Sequence, residues 1–174
     1  MQDYISLYKV LLAVNRWLTM LTVAQETVSS HMHIVALLSY DLAKSYNIKV
    51  DEKKLLLMSI THDLDELYTG DIPSNAKHAL DIDLFQKSIP ELQSFFSTSF
   101  MQEIKKLYNN KDSLEYKLVK VADNLCVLLK AKIELSFGNS NFTKPVTTTV
   151  LALKEYQEIP ELKAMINDIL RSFV

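Results

Sequence analysis

Four side chains of metal-binding type, His31, His62, Asp63 and Asp123, lie in three separate stretches of the chain. His62 and Asp63 are neighbours in "LLLMSITHDLDELYTGD", straight after a greasy run. Successive helical residues diverge by about 100°, so both reach one ion only if it sits at the helix flank. His31 lies in an earlier apolar-periodic stretch, with His33 close by as a competing candidate. Asp123 interrupts "LVKVADNLCVLL". A carboxylate flanking an apolar stripe is costly unless it meets a cation or hydrogen-bond donors. Two imidazoles and two carboxylates suit Mn, Co, Fe or Zn better than Ca or Mg. Four protein ligands leave room for water on a five- or six-coordinate ion. On residue types alone the alternative stays open: a lone helical histidine is more often a surface or satisfied core residue, and a His-Asp dipeptide often arises by chance.

The bulk composition narrows the chemistry. Glycine occurs only at Gly70 and Gly138, which excludes a glycine-rich phosphate loop and a dinucleotide fingerprint. Any phosphate must therefore be handled by side chains or a metal. The net charge of −2 argues against a general nucleic-acid or anionic-membrane surface. Hydrophobic residues make up 48% and charged residues 23%, as in an ordinary globular chain. Cys126 is the only cysteine, so no disulfide framework exists within the chain, and a reducing cytoplasm is the expected compartment. "MQDYISLYKV" has no basic leader before an apolar run, and Asn15 and Arg16 break "VLLAVNRWLTMLTVA" too early for a membrane span.

The elements that must position these residues read as helices. Ile5, Tyr8, Val10, Leu11, Leu12 and Leu18 predict an apolar stripe over residues 3–22, and Val28, His31, Val35, Leu38 and Leu42 another over 28–46. Asp51 caps a predicted helix running to about residue 68, where Gly70 and Pro73 stop it. Further helices are predicted at 81–88, at 91–109 after Pro90, and at 113–136 with Leu118, Ala122, Leu125 and Leu129 facing one way. "NNKD" reads as a turn, "FGNSNF" as a break, and Pro145 and Pro160 as starts of the last two helices. No stretch alternates, so the expectation is one all-α domain over residues 1–174, a bundle of six to eight helices.

"RWLTM", "ETVSSH", "HDLDELYTGDIPSNAKH" and "LVKVADNLCVLLKAKIE" together resemble the motif blocks of HD-domain phosphohydrolases, in the same order and at similar spacings over about residues 16 to 137. The resemblance is strongest to the bacterial 5′-deoxynucleotidases, helical metal-dependent enzymes that dephosphorylate deoxynucleoside monophosphates. It implies that His31, His62, Asp63 and Asp123 ligate a divalent transition metal, Co, Mn, Zn or Fe. It implies that Glu66, with Asp71, works on the attacking water or the leaving oxygen. Arg16, Lys77 and Lys120 would surround the phosphate, and cations there would offset the repulsion between an anionic substrate and a carboxylate-rich site. Trp17 would lie near the sugar or base, where a flat ring beside the 2′-carbon disfavours a hydroxyl. Glu26 would support His31. Two departures stand out: Asn75 replaces the second proline of the family's "TGDLPTPVK", and Ser30 stands where an acid often precedes the metal histidine.

The function so implied is hydrolysis at the α-phosphorus of a deoxynucleoside monophosphate, with a homodimer or higher homo-oligomer as the expected assembly and no polymeric nucleic acid or membrane as partner. The chain is also short, approaching compact viral relatives that hydrolyse deoxynucleoside triphosphates to tripolyphosphate. A non-catalytic helical interaction module is the remaining alternative.

Overall fold

A computed structural model of the chain describes residues 11–72 and 98–173. Lys77, the predicted helix at 81–88 and the start of the predicted 91–109 helix lie outside the described residues. The described part is helical. It contains α1 (Val28–Ser45), α2 (Glu52–Ser59), the short α3 (Glu66–Thr69), α4 (Ser99–Tyr108), α5 (Leu114–Ser136), a 3-10 turn (Ser140–Phe142), α6 (Thr143–Lys154) and α7 (Pro160–Phe173). Among the described residues no helix is long and apolar enough to cross a membrane.

Local chemistry sets most boundaries. Thr27 caps α1 by accepting from the Ser30 backbone N–H at 3.1 Å, while the Ser30 hydroxyl accepts from the Thr27 N–H at 3.0 Å. This reciprocal cap satisfies two orphan donors and gives Ser30 a local role. Asp51, Thr98 and Ser113 cap α2, α4 and α5 one-sidedly, each side chain accepting from the backbone N–H three residues on. Gly70 ends α3 with φ +72°, which a residue without Cβ adopts cheaply.

The long α5 is the axis of the bundle, packed by α1, α2, α6 and α7. Val35, Leu55, Leu118, Leu128, Leu153, Leu162 and Ile166 form its core, all fully buried. Each such side chain contributes about 2 kcal/mol by leaving water. A smaller cluster, Val28, Met32, Leu64 and Met101, packs with Leu11 and Val14 beneath the segment that enters α1.

Four expectations are corrected. The predicted helix over 3–22 does not run through: only residues 11–13 of its described part are helical, and the chain then opens into a loop. Val28 N–H donates to Val14 O and Arg16 N–H to Glu26 O, each at 2.9 Å, making one antiparallel bridge at Asn15 and Thr27. These non-local bonds replace the helical ladder, and Trp17, at φ +64°, cannot continue a helix. The predicted helix from Asp51 to residue 68 breaks at Ile60–Asp65, so His62 and Asp63 sit in a turn rather than on a regular helix. There the Thr61 hydroxyl donates to Leu57 O at 2.5 Å and His62 Nδ1 reaches Ser59 O at 2.8 Å. Side chains thus compete for carbonyls that a helix would use. On α5, Leu129 is 37% exposed, because the buried face turns instead through Cys126, Lys130 and Glu134. Helix α6 begins two residues before Pro145, whose missing N–H is tolerated in the first turn.

Candidate metal centre

The turn after α2 carries His62 and Asp63 to the place where α1 presents His31 and α5 presents Asp123. The Nε2 atoms of the two histidines face each other at 3.2 Å. Asp123 Oδ1 lies 3.0 Å from His31 Nε2 and 3.8 Å from His62 Nε2. Asp63 Oδ2 lies 3.3 Å from His62 Nε2 and 3.7 Å from His31 Nε2. Ligand atoms about 2.1 Å from a tetrahedral ion stand about 3.4 Å apart, and about 3.0 Å at octahedral right angles. The donor atoms of His31, His62 and Asp63 are therefore close enough together to share one transition-metal ion, and Asp123 Oδ1 stands beside both imidazoles. His33 is exposed on α1, about 200° around the helix from His31, and takes no part in the cluster.

Each imidazole is oriented from behind. His62 Nδ1 meets the Ser59 carbonyl at 2.8 Å, which turns Nε2 toward the centre. His31 Nδ1 faces Cys126 Sγ at 3.3 Å and Glu26 Oε1 at 3.7 Å. Glu26, His31 and Cys126 also bring three donors close together, all buried. However, the Trp17 indole N–H donates to Glu26 Oε2 at 2.6 Å, and Arg16 Nε stands 3.5 Å from that oxygen. Glu26 is thus already committed to a cation and a donor, and reads as the support of His31 rather than a ligand.

Charges interleave through the site. Arg16 Nη1 donates to Asp63 Oδ2 at 2.8 Å, and the Lys120 ammonium lies 3.7 Å from Asp123 Oδ2. Burial works against both cations, but the carboxylates of Asp63 and Asp123 raise the pKa of each. Burial pushes the Asp123 and Asp63 carboxyls up, yet hydrogen bonds from His31 and His62 respectively, together with the nearby positive charges, hold both well below the usual carboxylate range. Burial would lower His31, but its bonds to Asp123, Cys126 and Glu26 outweigh that and push it up to about 11 in the metal-free protein.

Of the remaining candidates, Glu66 is buried at the start of α3, just after the His-Asp turn. Asp71 accepts from the Trp17 backbone N–H at 2.6 Å, which ties the loop carrying Arg16 and Trp17 to the turn after α3. Trp17 packs on Phe142 with ring centroids 5.1 Å apart. Arg16, Trp17, Asp71 and Lys120 thus gather around the four candidate ligands.

Sequence reasoning missed Lys130 and Glu134, buried charges on the face of α5 that also carries Asp123 and Cys126. The signal was available: 123, 126, 130 and 134 follow helical spacing, so these polar residues share a row.

A 5′-deoxynucleotidase of Photobacterium profundum is 29% identical over 174 residues, covering 92% of this chain and 88% of the relative. A solved HD-domain phosphohydrolase from Listeria innocua superposes with a TM-score of 0.78 at 19% identity, covering 99% of this chain and 88% of the other. The cyanophage S-2L HD phosphohydrolase, solved with dA and one catalytic Zn2+ ion, superposes with a TM-score of 0.68 at 18% identity, covering 97% and 95%. At these identities the two structures show a common fold. The family model described as 5′-deoxynucleotidase YfbR-like matches residues 3–173, so the chain, a hydrolase, belongs to the YfbR-like 5′-deoxynucleotidase family.

Proposed function

We propose that this protein is a metal-dependent 5′-deoxynucleotidase that converts deoxynucleoside monophosphates to deoxynucleosides and phosphate. The observation that carries the reading is the convergence of His31, His62, Asp63 and Asp123 donor atoms beside Arg16 and Lys120. His31, His62, Asp63 and Asp123 would hold a Co, Mn, Zn or Fe ion. Such an ion supplies Lewis acidity toward the phosphate and acidifies water at neutral pH.

The chain's own groups do the rest. Glu66 takes the proton of the entering water or returns one to the departing 5′-oxygen, with Asp71 assisting. Arg16, Lys120 and Lys77 bind the phosphate and offset charge that develops on its oxygens. Trp17 lies against the sugar and disfavours a 2′-hydroxyl. The protein acts in the cytoplasm as a homodimer. Its exposed apolar row Leu129, Ile133 and Phe137 on and just after α5 supports self-association.

The test is a panel of deoxy- and ribonucleotides, as mono- and triphosphates, against Mn-, Co- and Zn-loaded protein with product identification. Phosphate release from deoxynucleoside monophosphates is expected. Tripolyphosphate release without monophosphate turnover would replace the reading with a deoxynucleoside triphosphate hydrolase. No turnover together with no bound metal would leave a helical interaction module.

A further inference from the structure

The loop between residues 14 and 28 carries Arg16 and Trp17, yet little of it is held by its own core. Leu18, Leu21 and Val23 are 66%, 85% and 58% exposed. Trp17 also sits at φ +64°, a strained region for a bulky residue. Strain of this kind persists only where the surroundings over-determine it. The two ends of the loop are fixed by the Val14–Val28 and Arg16–Glu26 bonds, and Trp17 by Asp71. The tip is fixed by a group outside the site already described.

That group is Glu134, a carboxylate with no solvent exposure. Its Oε1 and Oε2 accept from the Val23 N–H at 3.1 and 2.9 Å, and Oε1 accepts from the Ala24 N–H at 3.0 Å. Lys130 Nζ lies 2.6 Å from Oε1 and also donates to the Ala24 carbonyl. Asn139 Nδ2 donates to Glu134 Oε2 at 2.9 Å and to the Leu21 carbonyl at 2.8 Å. Phe142, the ring under Trp17, lies beneath the Lys130 ammonium at 5.9 Å. Three side chains thus bond the main chain of residues 21, 23 and 24. A buried ion pair is costly unless its hydrogen-bonding capacity is filled, and here the loop backbone fills it.

The row geometry connects this cradle to the centre. Glu134 follows Asp123 by eleven residues on α5, three turns along and about 16 Å away on the same face. One rigid helix therefore sets both the candidate metal ligand and the anchor of the loop that carries the substrate-facing pair.

We propose that Glu134, held by Lys130 and Asn139, is a positioning residue that fixes the 14–28 loop so that Arg16 and Trp17 meet the phosphate and sugar. The substrate part of this inference rests on the deoxynucleotidase reading; the loop part does not. Trp17 is the only tryptophan, so its fluorescence reports the loop without any assay of turnover.

The experiment compares full-length wild type, Glu134→Gln and Asn139→Ala in metal-loaded form. In Glu134→Gln, Trp17 emission is expected to shift to longer wavelength with increased acrylamide quenching, at unchanged metal content and helicity. KM for a deoxynucleoside monophosphate is expected to rise about tenfold with kcat within about twofold, as misplacement of binding groups predicts. The preference over the matching ribonucleotide falls at the same time, a ratio that loss of folded protein would not move. Asn139→Ala, which removes two bonds rather than the buried charge, shows the same changes at smaller amplitude and serves if Glu134→Gln does not fold. Folded variants with unchanged Trp17 emission and quenching overturn the cradle. Altered fluorescence with unchanged KM and unchanged sugar preference overturns its link to substrate. Absent turnover in wild type defeats the functional reading while fluorescence still decides the loop.

Discussion

His31 and His62, on elements separated by a full helix and a turn, point their Nε2 atoms at each other across 3.2 Å. Asp123 Oδ1 lies 3.0 Å from the His31 nitrogen on the same side. The hydrogen bond from His62 Nδ1 to Ser59 O and the contacts of His31 Nδ1 with Cys126 and Glu26 hold both rings in this opposition. Both rings are thus set from behind so that their Nε2 atoms face one space beside Asp63 and Asp123.

Asp123→Asn removes a carboxylate from this centre while keeping its shape. It is expected to weaken metal binding at least about 100-fold, more than loss of a supporting group does. Elemental analysis after dialysis checks this, and a full equivalent of ion retained in the variant would contradict the four-ligand assignment.

The His31 shift sets a pH dependence. Its folded pKa, pushed up to about 11, lies above the unfolded value near 6.5. The stabilisation is therefore complete below the unfolded value and is lost as pH rises through the folded one. Chelator-treated protein should unfold at progressively lower temperature from about pH 7 to about pH 10. Added ion should stabilise more at the upper end, because it competes with that proton. Thermal unfolding of both forms across the range measures the two trends; parallel curves would be inconsistent with a ligand role for His31.

Glu66→Gln tests proton transfer. With ion content and fold retained, kcat is expected to fall about 100- to 10,000-fold, the range for removal of a general acid–base. KM should move little. A variant that keeps wild-type kcat would transfer the role to Asp71 or to water alone.

The core prediction is independent of chemistry. Leu118 is fully buried on α5 and packs in the main cluster. Leu118→Ala should cost about 2–5 kcal/mol, with the cavity adding to the lost burial. Denaturant unfolding of the chelated protein measures it; a cost below about 1 kcal/mol would mean that the helices close over the gap.

Much of the bundle was legible in the letters because it is written locally. Asp51 and Ser113 cap helices through bonds three residues long, Gly70 and "FGNSNF" stop them, and Pro160 starts α7. The candidate ligands were legible too, since metal-binding residue types inside apolar stretches are costly without partners and the motif blocks resemble a known family. What the sequence did not reveal was the loop at residues 14–27 and the turn at 60–65. Apolar spacing over 3–22 favours a helix, but Arg16 bonds Glu26, Trp17 bonds Asp71, and the tip bonds Glu134 more than a hundred residues away. Local propensity weighs only neighbours along the chain. Where a loop takes its hydrogen bonds from distant helices, only the packed structure decides its shape, and here it decides where Arg16 and Trp17 stand relative to His31, His62, Asp63 and Asp123.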